Sequence, residues 1–451
     1  MVELVGRRLP PNWEGAEIPA RVAQGLWDEW MALAKSLIWL RGTLVELVDV
    51  LVPKPALRLL AHPRLHAFIG LDRIDAVGNW IDNNFMLKRR QKRTAEQRIN
   101  VSTQDYLKTH FCAAPFEQLE TAPTGLAYAC CPVWLPTPIG RLDTPAHELW
   151  NSTPARNIRE SMIDGSFRYC NHVHCPAISG RRLESRDSAH AKAIIARYQS
   201  GVETLPEHVK LSHDKSCNLS CPSCRTSTYV ANSAKQAKLD QLTEATLVPL
   251  LREAKSVLVT GSGDPFGSKH FRNLLKRLNG GDFPDLKIDL ISNGQLLDPR
   301  AWSELGLKGR VRNVEISVDA AKADTYAIVR RGGTFERLLK NLAFLRDMRR
   351  SGEISSLHCS MVVQALNYRE MPEFVRLCED HAADLIIFNM IRQRDIFGKE
   401  EYIEAFIGSP DHPDYADFLK VLEAPELAQR NVLIGNVREY APRGTFAEAA
   451  E

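Results

Sequence analysis

The sequence predicts an α/β fold: a parallel sheet of six consecutive β/α units, preceded by a small cysteine-rich domain and a helical N-terminal region. Three observations carry this reading. Between residues 209 and 391, short β-like runs ("VKLSHD", "SVLVTGSGDP", "LKIDLISNG", "VRNVEISVD", "LHCSMVVQ", "DLIIFNMI") alternate with helical patterns such as "FERLLKNLAFLRDMRR". Eight of the 10 cysteines (Cys112, Cys130, Cys131, Cys170, Cys175, Cys217, Cys221 and Cys224) fall in one stretch. Residues 21–52 read as a long amphipathic helix anchored by Trp27, Trp30 and Trp39. The right-handed crossover rule leaves two arrangements for six such units, a doubly wound sheet or an incomplete barrel. Six are too few for a closed eight-stranded barrel.

In chain order, residues 1–105 form the helical region. Their start, "MVELVGRRLPPNWEGAEIPARV", lacks the apolar core of a signal peptide. The most apolar stretch carries Lys35, Arg41, Glu46 and Asp49, a charge density that excludes a comfortable membrane span. "KRRQKR" at 88–93 reads as a solvated helix face, because no aromatics interleave it. Net charge is +3 over 451 residues, so no global field points to nucleic acid or a membrane surface. The expected location is the cytoplasm. There clustered cysteines bind metal more often than they form disulfides.

Residues 106–180 are turn-rich. "FEQLETAPTGLAYACC" reads as a hairpin turning at Thr124-Gly125, and "STPARNIRESMIDG" as a helix with Thr153 as N-cap and Gly165 past its end. So small a domain buries little core and calls for a metal staple. Cys112, Cys130, Cys170 and Cys175 supply four thiols, with Cys131 spare. Residues 181–208 read as a charged linking helix, 209–425 as the β/α region and 426–451 as a mobile tail.

The run "CNLSCPSCR" follows the first strand directly, which sets Cys217, Cys221 and Cys224 at the sheet edge where parallel α/β folds gather their active sites. A [4Fe–4S] cube takes four cysteines when fully ligated, so three leave one iron open for a small molecule. The alternative is a zinc knuckle borrowing a distant ligand. Along the fourth strand, alternation sets Glu315, Ser317 and Asp319 on one face and Val314, Ile316 and Val318 on the other. On the fifth strand, His358, Ser360 and Gln364 share a face, whereas Cys359 points to the helices; Cys359 and Cys378 read as core.

These motifs resemble the radical SAM superfamily, whose signature C-x3-C-x-φ-C follows the first strand of a partial barrel. Here φ is Ser223. The resemblance implies a partial (β/α)6 TIM-like barrel in which Cys217, Cys221 and Cys224 hold a [4Fe–4S] cluster. It further implies that the open iron chelates S-adenosylmethionine. By the same likeness "TGSGDP" places Ser262, Gly263 and Asp264 near the methionine amino group. "ISNG" (Ser292, Asn293) and Ser317 become further cofactor contacts. Glu315, Asp319 and His358 are the expected catalytic residues, although Glu315 fits a structural ion pair equally well. Residues 110–176 resemble the SPASM/twitch auxiliary domain through C-x2-PF, G-x4-CC, "ELWNS", "IRESMIDG" and a paired cysteine. That implies a second [4Fe–4S] cluster on Cys112, Cys130, Cys170 and Cys175. The closing pair is C-x4-C and the domain precedes the barrel, so His172 or His174 with zinc stays open.

The function expected is that of a radical SAM oxidoreductase taking a hydrogen atom from a small polar metabolite, sugar- or aminocyclitol-like, with flavodoxin or ferredoxin as electron donor. A peptide-modifying enzyme and a non-catalytic electron-transfer protein are the alternatives.

Overall fold

A computed structural model of the chain describes residues 101–201, 204–260, 262–393 and 398–441. Most of the N-terminal region, including its tryptophans and the 88–93 basic run, lies outside the described residues. So does the tail from 442. The described residues belong to one compact unit spanning Asp75–Glu451. Among them, no helix is long and apolar enough to cross a membrane.

The strands in chain order are β1 (His110–Phe111), β2 (Gln118–Thr121), β3 (Leu126–Tyr128), β4 (Gly140–Arg141), β5 (Glu184–Ser185), β6 (His208–Leu211), β7 (Ser256–Val259), β8 (Lys287–Ser292), β9 (Val311–Ser317), β10 (Ser356–Val363), β11 (Leu385–Met390) and β12 (Val432–Ile434). All but β1 and β5, which pair with each other, join one 10-stranded sheet ordered β12-β11-β10-β9-β8-β7-β6-β2-β3-β4. β6 to β12 run parallel and strictly in sequence. A doubly wound sheet reverses its strand order once. This sheet does not, so the open barrel is the arrangement adopted. Helices fill the crossovers where the periodicity predicted them, as in Lys269–Leu278 and Phe335–Arg350. Val314, Ile316 and Val318 are wholly buried, whereas Glu315 and Ser317 on the other face are only partly covered. Cys359 and Cys378 are core, as predicted.

The sheet is wider than the six predicted units at both edges. β12 extends it within the segment read as tail, so the boundary at 425 does not hold. At the other edge the predicted hairpin forms, with Gly125 at φ +78 in its turn. Its strand β2 then pairs in parallel with β6. The cysteine-rich segment is therefore not a separate domain but a continuation of the barrel wall. Two smaller readings also change. The helix Thr153–Ile163 is capped by Ser152, not Thr153: the Ser152 hydroxyl accepts from Ala155 N and donates to Ile139 O. The linking helix is confined to Ala189–Gln199, because residues 184–185 are used as β5.

A buried chain of hydrogen bonds locks the hairpin to the barrel. His270 Nδ1 lies 3.3 Å from the Asp240 carboxylate, which can only accept, so Nδ1 carries the proton. The bare Nε2 of His270 then accepts from His213 Nε2, 2.9 Å away. His213 Nδ1 in turn accepts from Thr121 Oγ1 (2.9 Å), and that hydroxyl accepts from Ser212 N. Burial, aided for His213 by the neighbouring His270, pushes both imidazole pKa values below the usual range. The unfolded chain therefore binds protons that the folded chain does not. Stability is fully present above the ordinary histidine pKa and falls as pH drops below it. Denaturant midpoints should decline between about pH 7 and pH 5, and His270→Gln should flatten that slope; an unchanged slope would exclude His270 as its source.

Candidate functional site

The three-cysteine loop leaves β6 at Leu211 and is held on every side. Asp214 Oδ1 accepts from Ser216 N and Oγ, and Asp214 Oδ2 accepts from Ser268 Oγ. Cys217 N donates to Tyr229 O (2.8 Å), and the N–H groups of Cys224 and Arg225 both reach Cys221 O. Leu219 is wholly buried between Cys217 and Cys221, with Cys224 packed against the group. The three thiols thus share one small neighbourhood at the C-terminal edge of the sheet, as the sequence predicted.

The segment containing Ser262, Gly263 and Asp264 packs directly behind this loop. A Cβ on Gly263 would lie 2.2 Å from Ser216 O and 2.7 Å from Lys215 C, so only glycine permits the approach. Asp264 is almost fully buried. Its Oδ1 accepts from Phe266 N and Gly267 N, and its Oδ2 from Ser292 Oγ and Asn293 N, each within 3.1 Å. Burial still raises its pKa above the usual carboxylate range. Two predicted cofactor contacts, Asp264 and Ser292, are therefore bonded to each other. Ser292 also accepts from Gly294 N. Asn293 turns toward the loop, donating to Asn218 Oδ1 (3.0 Å), with Cys217 Sγ 3.7 Å away.

Of the expected catalytic residues, Glu315 and His358 are direct partners across β9 and β10, on the partly covered face. Ser317 and Ser360 are paired one step further on. Asp319 stands apart from this row. It sits at φ +65, buried, with Oδ2 2.9 Å from Arg330 Nη2 and Oδ1 accepting from Val362 N. Its carboxylate is committed to those two groups.

Sequence reasoning missed Arg225, Arg330 and Arg331. Arg225 donates to Lys215 O (2.7 Å) and to Ser262 O, tying both ends of the loop to the turn after β7. Arg331 reaches Ser220 Oγ and Thr226 O. Arg330 is largely buried with its Nη1 3.8 Å from Cys221 Sγ, and its Nε has no partner among the described residues. The only signal was the doubled arginine before two glycines in "RRGG", which has no mechanism attached when read alone.

The donor set suits an iron–sulfur cluster: three soft thiols, an orphaned N–H beside them, and burial that raises the pKa of Cys217 and Cys221 until a metal displaces the proton. Among the described residues, no three His, Cys, Asp or Glu side chains converge on one metal-ion position. A cube does not require that, since each thiolate binds a different iron.

The four predicted auxiliary cysteines come together. Cys112, Cys130, Cys170 and Cys175 line one cavity of about 20 Å³, walled by Pro115, Trp134, Leu135, Phe167, Ile178 and Leu183. Burial pushes the Cys112 thiol up to about 12 and raises Cys130 and Cys170 as well. Cys131 lies outside, near Glu120 and Lys210. His172 is not in the lining; its Nε2 bonds to Phe167 O.

Comparison with known proteins finds similarity over part of the chain. Residues 211–378 match the Radical SAM superfamily profile. The GTP 3',8-cyclase of Pelotomaculum thermopropionicum is 30% identical over 131 residues, 28% of this chain and 38% of that protein. The probable GTP 3',8-cyclase of Methanocaldococcus jannaschii is 21% identical over 185 residues, 41% and 58% of the two chains. The chain thus spans less than two thirds of the length of each of these curated relatives. Among solved structures, Streptococcus suis SuiB bound to precursor peptide SuiA aligns with a TM-score of 0.35 and 14% identity, covering 62% of each chain.

Gly263→Ala should displace the cysteine loop, at a cost of about 1–3 kcal/mol for overpacking, and reduce iron uptake. Gly281→Ala, where an added Cβ meets nothing within 4 Å, is the control and should melt as the parent does. Equal melting and equal iron content in both variants would refute the close-approach reading.

Proposed function

We propose that this protein is a cytoplasmic radical SAM enzyme that removes a hydrogen atom from a small polar metabolite. The observation that carries the reading is the three-thiol loop packed against Gly263 and Asp264 at the strand ends, inside the segment matching the superfamily. Cys217, Cys221 and Cys224 would hold a [4Fe–4S] cluster, which together with S-adenosylmethionine would supply a 5′-deoxyadenosyl radical after one-electron reduction. The chain's own residues orient and shield. Asp264 and Ser292 fix the turn behind the loop, Asn293 and Ser317 are offered to the cofactor, and Glu315 and His358 present a carboxylate and an imidazole to the substrate from neighbouring strands. The electron donor is of the flavodoxin or ferredoxin class.

The relatives named as GTP 3',8-cyclases favour a small metabolite over a peptide. No comparison points to a sugar or aminocyclitol, so the substrate class stays at small and polar. A second [4Fe–4S] cluster on Cys112, Cys130, Cys170 and Cys175 is the companion proposal, supported by their shared apolar cavity. A cluster held by all four thiols would supply an acceptor for the electron left after hydrogen removal, which would make the enzyme an oxidoreductase.

Anaerobically reconstituted protein should bind about eight irons per chain, in two four-iron clusters. Changing Cys217, Cys221 and Cys224 together to Ala should leave about four and abolish 5′-deoxyadenosine formation; retained cleavage in that variant would sink the assignment. Cys112→Ala with Cys130→Ala should also leave about four irons, yet still yield 5′-deoxyadenosine with dithionite. An iron count near four in the parent, with stoichiometric zinc, would instead make the four-thiol site structural.

A further inference from the structure

Each sulfur of the three-cysteine loop has one side-chain nitrogen within N–H···S reach, and each comes from a different place. Asn293 Nδ2, at the end of β8, is 3.7 Å from Cys217 Sγ. Arg330 Nη1, just past the helix Ala323–Val329, is 3.8 Å from Cys221 Sγ. Arg225 Nη2, next in sequence to its target, is 3.8 Å from Cys224 Sγ. Leu219 N adds a main-chain donor to Cys217 Sγ at 3.4 Å. One donor per sulfur would be redundant for packing alone, since each of these side chains already has other anchors: Asn218, Asp319, and the carbonyls of Lys215 and Ser262.

We infer that Asn293, Arg330 and Arg225 are positioning residues that set the reduction potential of the cluster on Cys217, Cys221 and Cys224, and that Asp319 trims this effect by pairing with Arg330. The inference rests on the proposed iron–sulfur reading of that loop. Reduction adds negative charge that is shared with the sulfurs. Donors aimed at those sulfurs stabilise the reduced state and raise the potential. Arg330 contributes most, because it is a charged group whose side chain is only 12% exposed beside its sulfur, where the field is weakly screened. The Asp319 carboxylate 2.9 Å away offsets part of that charge. The pair is thus a dipole with its positive end toward Cys221. Removing one partner must act oppositely to removing the other.

The test is a redox titration of the reconstituted full chain by electron paramagnetic resonance, following the signal that changes when S-adenosylmethionine is added. Iron content and that change report on the cluster itself; only the midpoint reports on this inference. Arg330→Gln should make reduction at least tenfold harder, about 59 mV for a one-electron couple. Arg330→Lys should recover part of the shift. Asp319→Asn should make reduction easier. Asn tolerates the positive φ and keeps an acceptor for Val362 N, so this variant should retain the loop's structure. If Arg330→Gln fails to retain iron, Asp319→Asn decides alone. An unchanged or lowered midpoint in Asp319→Asn overturns the inference, as does a shift of both variants in the same direction.

Discussion

A single buried carboxylate organises the site. Among the described residues no cation pairs with Asp264; it is held by two main-chain N–H groups of its own turn and by Ser292 and Asn293 at the end of the next strand. Four donors on one carboxylate fix the turn after β7 relative to the end of β8 to within hydrogen-bond tolerance. Asp264 N in turn donates to Ser216 O, one residue before Cys217. The position of the cysteine loop is therefore inherited, through a few short bonds, from the pairing of β7 with β8. The close approach at Gly263 follows from the same geometry.

The second organising feature is the joint between β2 and β6. An open barrel leaves an unpaired edge at its first strand, which exposes a row of main-chain donors and acceptors. Here a hairpin from the preceding segment covers that edge, and the His213–His270–Thr121 chain fastens it. The four-thiol cavity grows out of the same hairpin, since Cys130 follows β3 directly. Its placement relative to the three-cysteine loop is therefore determined by continuous sheet, not by a flexible linker.

Much of this was legible in the sequence because it depends on local periodicity. Alternating runs gave six strands, and alternation within β9 correctly separated Val314 and Ile316 from Glu315 and Ser317. Cysteine spacing singled out the four residues that share the cavity. What was not legible depends on contacts between distant residues. The pairing of Glu120 with Lys210 has no local signature. β12 has three residues, too few to show alternation. Ser152 and Thr153 are both good N-caps, and the one used is Ser152, whose hydroxyl also reaches the distant carbonyl of Ile139. Arg330 reads as one charge among many until the fold sets it beside Cys221 and Asp319.

The parallel joint also constrains the order of assembly. Synthesis runs from the N-terminus, so Cys112, Cys130, Cys170 and Cys175 emerge from the ribosome before any residue of β6. The hairpin needs only local contacts to form, whereas β6 must return across more than 80 residues to pair with β2. The hairpin, once formed, would offer the edge against which the rest of the barrel zips, one strand at a time, from β6 to β12. The cysteine-rich segment would then act as an intramolecular template.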